Sequence, residues 1–346
     1  MNAILQKETI VDLPHGFTAR GVNLDDAEQA LILFNRWSRS IIGRDELNDV
    51  QALRNEWNSP GFDSAQDVRV VFSPKGHMVG YVEVWTTMKP PVHPWIWGRI
   101  DPEYENMGIG TWLLQWAGQH AIHALPEVPE GLRFAPRVGT YREAEGSRKL
   151  FEDLGFHYIR SSYHMLIEMD APIPEPAFPE GILLRTFNPE TDAEAVYRAD
   201  ADAFRDHFGF VEQPFETGFK RFKHFTIEAE DFDPSLWFLA MDGDQIAGFN
   251  LCRPHSHDDP QMGWVGELGV RRPWRKQGLG LALLRHSFNE FYRRGKRKVG
   301  LGVDAQNLTG ALRLYERAGM HVQQAFDQYE KELRPGREIS VESLSE

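Results

Sequence analysis

One turn is written twice in this chain. At VRRPWRKQGLGLALL (270–284) a strand ends at Val270, a loop follows, and a helix opens near Gly280. At IDPEYENMGIGTWLL (100–114) the same order recurs around Gly108 and Gly110. A strand-to-helix turn aims several free backbone N–H groups at one point, and the helix dipole adds partial positive charge there. Glycines let the backbone come close to a ligand and take φ > 0. The patterns on either side repeat as well, with a period of about 165 residues, which is domain-sized rather than solenoid-like. The chain is therefore expected to build the same α/β architecture twice.

The second copy reads as follows. ILLRTF (182–187) is a strand, and Pro189 to Phe204 has helical spacing. Leu236 to Met241 and Ile246 to Cys252 form a hairpin about an Asp-Gly turn. Met262 to Val270 is a strand, Leu281 to Arg294 a helix, Lys298 to Val303 a strand, Thr309 to Ala318 a helix, and His321 to Tyr329 the closing strands. In the first copy FTARGV (17–22) is a strand and Asp25 to Ser38 a helix. Val68 to Phe72 and Met78 to Trp85 form a hairpin, Trp95 to Ile100 a strand, Thr111 to His123 a helix, and Ser147 to Leu154 a late helix. Between the copies, DAPIPEPAFPEG (170–181) holds four prolines and no periodic apolar pattern, as a linker does. The expected division is 1–169, linker 170–181, 182–333, and a polar, mobile tail over 334–346.

Composition narrows the class. The chain has 346 residues, 41% hydrophobic and 26% charged, which suits two globular domains. No apolar run is long enough to span a bilayer, and the N-terminus lacks the pattern of a signal peptide. A single cysteine, Cys252, excludes an internal disulfide and a cysteine-cluster metal site, so the cytoplasm is the expected compartment. The net charge of −13 argues against nucleic acid and anionic membrane as partners. A monomer is expected, with a homodimer as the alternative.

Three phosphate-binding motifs compete for the 270–284 turn, beside an ordinary glycine turn. A dinucleotide fingerprint needs a third glycine, but position 283 is Leu. A P-loop needs Gly-Lys-Ser/Thr, which is absent. The third is the pyrophosphate loop of an acyl-CoA-dependent acyltransferase. Here Arg275, Gly278 and Gly280 form R-x-x-G-x-G, and NLTGALRLYERAGM (307–320) follows downstream. In order and spacing, these segments resemble the R-x-x-G-x-G loop and the N-x-x-A-x-x-L-Y-x-x-x-G-F ending of the GNAT superfamily of N-acyltransferases, with Met320 in place of Phe. The resemblance is strong over 182–329 and weaker over 17–169, and the tandem layout is similar to the mycothiol synthase-like branch. It implies two GNAT-like domains, each a mixed, mainly antiparallel twisted sheet flanked by helices. It also implies acetyl-CoA as co-substrate, no metal, and a small-molecule amine as acceptor.

Charge agrees with that reading. Residues 271–298 hold ten Lys or Arg and one acid, Glu290, whereas 101–128 hold four acids and no Lys or Arg. Glu105 takes the place of Arg275, Phe151 that of Tyr315, Glu143 that of Asn307, and Trp97 that of Glu267. The first half is thus expected to be a degenerate copy that shapes the protein or its acceptor site.

N-acetylation needs a neutral amine, an acid for the departing thiolate and a donor for the oxyanion. The resemblance gives Glu267 the role of base and Tyr315 that of acid toward sulfur. Leu268, Gly269 and Val270 are expected to flank the acyl group, with a bulge at Gly269, since a strand glycine often marks one. Arg275, Lys276, Gln277, Gly278, Leu279 and Gly280 are expected to hold the pyrophosphate, and Asn307 the cofactor arm. Asp206 and His207, in AFRDHFGFVEQPF (203–215), are expected to meet the acceptor. PHSHDDP (254–260) contains His-x-His but falls between hairpin strands, and it is read as a turn rather than a metal site. Trp95, Trp97, Trp112 and Trp116 are read as packing residues. Cys252 sits in an apolar strand without a basic neighbour, so direct transfer is expected rather than a covalent enzyme intermediate. Two alternatives stand beside a general amine acetyltransferase. One is mycothiol synthase itself, acting on a cysteinyl-sugar conjugate, and the other is a non-catalytic CoA-binding regulator.

Overall fold

The computed structural model describes residues 10–47, 49–307 and 310–342. In chain order the elements begin with β1 (Thr18–Arg20), α1 (Ala27–Ile42), α2 (Val50–Trp57) and α3 (Ser64–Asp67). Next come β2 (Val68–Phe72), β3 (Met78–Trp85), β4 (Trp95–Ile100), α4 (Ile109–Ile122), β5 (Arg137–Tyr141), α5 (Glu145–Asp153) and β6 (His157–Glu168). The second half holds β7 (Ile182–Thr186), α6 (Ala193–Ala203), α7 (Phe215–Phe225), β8 (Trp237–Asp242), β9 (Gln245–Arg253) and β10 (Met262–Val270). It ends with α8 (Leu279–Arg293), β11 (Lys298–Asp304), α9 (Ala311–Ala318) and β12 (His321–Glu330).

The chain forms two compact units that do not follow a straight cut at the linker. The first comprises 1–160 and 326–339, the second 161–325 and 340–346. The sheet of unit 1 runs β1-β2-β3-β4-β5-β12, and that of unit 2 runs β6-β11-β10-β9-β8-β7. Each unit thus takes one strand from the other half of the sequence. Opposite charges mark the register. Arg137 donates to Glu330 at 2.9 Å and Arg142 to Asp327 at 2.8 Å where β12 joins β5. Each sheet is antiparallel except for one parallel pair, β4–β5 in unit 1 and β10–β11 in unit 2.

Helices cover both faces of each sheet, as alternating strand patterns and helical stripes require. In unit 1, Ile109, Leu113, Leu114, Ala117 and Ala121 of α4 pack on Val79, Val82 and Ile96. The apolar stripe of α1 (Ala27, Ala30, Leu33, Phe34) packs with Trp57 against Val68, Val70 and Tyr81 on the other face. In unit 2, Leu283, Leu284, Phe288 and Phe291 of α8 cover Phe238, Ala247 and Val265. Val196, Ala199 and Phe222 of α6 and α7 cover Trp237, Leu239 and Phe249. Full burial of one such side chain is worth roughly 1.5–3 kcal/mol.

Several expectations change. Helices α4 and α8 begin at Ile109 and Leu279, before the positions read from sequence, because Gly108 and Gly278 cap them with φ of 83° and 85°. The 334–346 tail is docked over its described part. Phe134 donates to the Arg334 carbonyl at 2.9 Å and Arg337 to that of Gly131 at 2.7 Å. Val341 exchanges backbone bonds with Gly209 and Phe210 at 2.8 and 3.1 Å. The closing strands read over 321–329 are the single strand β12. The expected helix start at Thr309 lies outside the described residues.

Candidate active site

The site of unit 2 grows from a break in its parallel pair. Strands β10 and β11 stay in register only from Met262↔Lys298 to Val265↔Leu301. On the other edge of β10, Val265 faces Cys252 while Glu267 faces Leu251, so Gly266 is an extra residue and the strand bulges there. The expected bulge at Gly269 is corrected by this register: Gly269 pairs with Phe249. A Cβ on Gly269 would lie 2.2 Å from the Phe249 ring, so it is glycine because that ring already fills the space. Beyond the bulge the two parallel strands part. A cleft of about 670 Å³ opens between them, lined by residues 265–270, by Leu301 to Asp304, and by α8 and α9.

At the mouth of the cleft the loop after β10 places Lys276 at φ 62° and Gly278 at φ 85°, then enters α8. Ala282 bonds back to the Gly278 carbonyl at 3.0 Å. The N–H groups of Leu279, Gly280 and Leu281 therefore have no intrahelical acceptor. All three residues line the cleft. A Cβ on Gly280 would already sit 3.0 Å from Leu314 of α9, so this glycine also sets how closely the two helices pack.

Two expected ligand residues are engaged elsewhere. Arg275 donates to the Val270 carbonyl at 3.0 Å, to Asp206 at 2.6 Å and to the Ala203 carbonyl at 2.9 Å. It lines the cleft, but its guanidinium braces the loop from behind. Asp206 is buried and held by both Arg272 and Arg275. Hydrogen bonds from these guanidinium groups hold its carboxyl down at about 2. Its place is structural, which departs from the expected contact with an acceptor.

The basic stretch around the loop is largely paired. Arg271 meets Asp202, Arg293 meets Glu290, Arg294 meets both Asp233 and Glu290, and Lys298 meets Glu168. Among the described residues Lys276 has no ion pair, and it lines the cleft with Arg313 and Arg317 of α9. Sequence reading passed over these two arginines, although their helical spacing puts both on one face. Gln277 donates to the Pro273 carbonyl at 3.1 Å within the loop.

The reactive candidates converge on the cleft. Glu267 follows the bulge, and burial raises its carboxyl above the ordinary range. It also lines a smaller pocket of about 220 Å³ with Thr226, Asp231, Arg253 and His257, and so stands between the two spaces. Tyr315 is buried on α9, and burial lifts its phenol to about 12. Its ring packs in the core of unit 2, and no described residue bonds its hydroxyl. Asn307 lines the cleft while its side chain accepts from the N–H of Ala311, the first residue of α9, at 3.2 Å. His207 lines the cleft as well, and burial lowers its imidazole. The expected acceptor residues therefore separate, with His207 on the cleft and Asp206 within the brace. The polar pocket beyond Glu267 was not foreseen, because its residues come from separate segments.

Unit 1 keeps the backbone and loses the contents. Asn106 and Gly108 repeat the φ angles of the loop at 60° and 83°. Phe156 bonds the Phe151 carbonyl at 2.9 Å, as Met320 bonds that of Tyr315 at 3.0 Å, which puts Phe151 in the tyrosine's place. Strand β4 has no bulge: Trp97 pairs directly with Glu83 and Ile96 with Val84. By register Arg99 stands where unit 2 has Gly269. Its guanidinium is 3.8 Å from the Trp37 ring and 4.1 Å from that of Trp97, paired with Glu46. The remaining cavity is about 170 Å³.

A twice-repeated sheet with splayed parallel strands and a glycine loop opening a helix is the architecture of an acyl-CoA-dependent transferase. The family model described as "Acetyltransferase (GNAT) family" matches residues 34–156 and 193–320, and the chain belongs to that family. It is an acyltransferase of tandem GNAT type. Among its relatives is the mycothiol acetyltransferase of Salinispora arenicola (strain CNS-205), 32% identical over 70% of this chain and 75% of that protein. A GCN5-related N-acetyltransferase from Sphaerobacter thermophilus is 34% identical, covering 94% of this chain and 99% of that one with a TM-score of 0.78. A tandem GNAT protein from the clavulanic acid biosynthesis pathway shares the fold at TM-score 0.69 and 16% identity, over 93% of this chain and 100% of that one.

Proposed function

We propose that unit 2 moves an acetyl group from acetyl-CoA to the primary amine of a small molecule, by direct transfer within a ternary complex. The observation that carries this reading is the position of Glu267 between a large basic-rimmed cleft and a smaller polar pocket. The cleft suits a long donor. Its mouth offers the opening N–H groups of α8 and the side chains of Lys276, Arg313 and Arg317 for phosphates. Unit 1 takes no part in the chemistry on this reading, since Arg99 and its rings occupy the corresponding space.

The chemistry follows from the side chains. An alkyl ammonium has a pKa of about 10, so Glu267 takes its proton, directly or through water. The freed amine attacks the thioester carbonyl; the C–S bond breaks as the amide forms, and the second amine proton passes through water to restore the phenol that has protonated the sulfur. From Gly266 onward the edge of β10 facing β11 has no partner strand in the register, leaving peptide groups to meet the oxyanion. Tyr315, protonated at neutral pH, hands its proton to the departing thiolate. Cys252 is fully buried with its thiol pushed up, which suits direct transfer rather than a cysteine intermediate.

The acceptor enters from the pocket of Thr226, Asp231, Arg253 and His257. The relative named mycothiol acetyltransferase favours a second reading, in which that acceptor is a cysteinyl-sugar conjugate. The test is a thiol-release assay with acetyl-CoA and a panel of amines that includes such a conjugate. CoA release that depends on an amine, with the acetylated amine found by mass spectrometry, supports the reading. Binding of acetyl-CoA without turnover on any amine contradicts it.

A further inference from the structure

Helix α6 brings a second carboxyl to the catalytic one. Asp200 hydrogen-bonds Glu267, and both residues are half-buried. Asp200 Oδ1 and Glu267 Oε2 are each closed to solvent and meet no N–H or O–H donor among the described residues. Two carboxylates cannot hydrogen-bond each other. A proton must lie between them, as for any two carboxyls in hydrogen-bond contact.

We propose that Asp200 is a positioning residue for Glu267: the pair shares one proton, which Asp200 keeps and donates, so that Glu267 is the ionised partner presented to the amine. This rests on the acetyltransferase reading above. The surrounding charges decide which partner is ionised. Arg253 of β9 favours the negative form of Glu267. Among the described residues Asp200 forms no ion pair, and burial beside Glu267 raises its carboxyl to about 9. Other titratable groups near the pair include Tyr197 of α6, with Arg221 of α7 beside it, His207 and Tyr315 on the cleft, and Asp231 and His257 on the pocket.

Unit 1 supplies a second, independent observation. Asp192 pairs with Arg185 at 2.5 Å at the start of α6, and Asp26 pairs with Arg20 at 2.7 Å at the start of α1. Counted from these anchors, Phe34 occupies the place of Asp200. By strand register, Trp97 occupies that of Glu267. Phe34 and Trp97 form an edge-to-face pair with centroids 4.8 Å apart. Where one acid has become an aromatic ring, so has the other, as expected of two residues that act as a unit.

Infrared spectra at pH 7 read the shared proton without any substrate. The C=O band of a protonated carboxylic acid is expected in the difference between wild type and Asp200→Asn, and again between wild type and Glu267→Gln. Other buried acids cancel in the subtraction. If neither difference contains the band, the proposal is overturned whatever the kinetics show; if it is present, the shared proton stands even should no amine be acetylated. The pH profile of kcat/KM then tests positioning. Asp200→Asn keeps a donor to Glu267 and is expected to hold the acidic limb within about half a pH unit of wild type. Asp200→Ala removes the donor and is expected to raise that limb by about one unit, a tenfold loss on the acidic side. Should Asp200→Ala fail to fold, Asp200→Leu makes the same test. An acidic limb that is the same in the Asn and the apolar variant overturns the positioning role.

Discussion

Replacing Tyr315 by Phe removes one oxygen atom from the proposed site and leaves the packing alone. The hydroxyl bonds no described residue, and the ring sits among Leu284, Ala318 and Met320 in the core of unit 2. Unit 1 shows that a Phe fits this place, since Phe151 packs against Phe156 and Tyr329 after the same helix. Stability is therefore expected to change by less than about 1 kcal/mol. The phenol at about 12 is fully protonated at neutral pH, and so offers a proton to the sulfur as negative charge develops on it. A positioned general acid contributes about 10²–10⁴-fold, or ~2.7–5.4 kcal/mol at the transition state. The fall should appear in kcat, because the interaction is made as charge develops on sulfur. The assay is steady-state acetyl transfer with an accepted amine, together with a CoA dissociation constant for both proteins. A kcat within about twofold of wild type would refute the acid role, and with it one reason for regarding unit 1 as inactive.

Other outcomes follow from the same structure. Glu56 of unit 1 is pushed up to about 8 by burial and by Glu83 beside it, which Tyr81 and Trp85 hydrogen-bond and Arg99 faces. An acid whose pKa is raised on folding binds its proton more tightly in the native state, so its contribution is full below about 4.5 and is lost as pH rises through about 8. Chemical denaturation should show stability falling over that window by a few kcal/mol, with a flatter profile in Glu56→Gln. A chain ending at residue 325 loses the part of β12 that pairs with β5, including the buried Tyr329. Limited proteolysis should then find unit 1 cut rapidly. CoA is expected to bind more tightly than dephospho-CoA and to weaken with salt, and alanine at Lys276, Arg313 and Arg317 together should abolish most of that difference.

The repeat, the hairpins, the glycine loop and the late helix were all legible in the sequence, because each rests on a local pattern. Strand limits at Val68–Phe72, Met78–Trp85, Trp95–Ile100 and Met262–Val270 match the structure. The strand exchange was not legible, since alternation in β6 and β12 says which face is buried and not which sheet the strand joins. The charge pairs Arg137–Glu330 and Arg142–Asp327 carried that information, but only once the partners are known. Helix α7 was not read from the sequence, although Phe215, Phe219 and Phe222 have helical spacing. In the site, Gly266 and Gly269 look alike on paper, and only the Phe249 ring separates a bulge from a packing glycine. Arg275 looked like a phosphate ligand for its charge, and its three protein acceptors come from residues distant in sequence or across the loop. Asp200 drew no notice because an acid on an amphipathic helix reads as solvated until Glu267 is placed opposite it.

The central claim is that the cleft of unit 2, and not the cavity of unit 1, receives the acyl donor. Gly302 lines that cleft, and a Cβ built on it meets nothing within 4 Å, so a large side chain there fills the space without disturbing the core. Gly146 is the matching choice for unit 1, lining its cavity with the same freedom. Calorimetric titration of acetyl-CoA into wild type, Gly302→Trp and Gly146→Trp compares the two directly. One binding event per chain, lost in Gly302→Trp and retained in Gly146→Trp, is expected. Binding that survives Gly302→Trp and disappears in Gly146→Trp would place the donor in unit 1 and contradict the account.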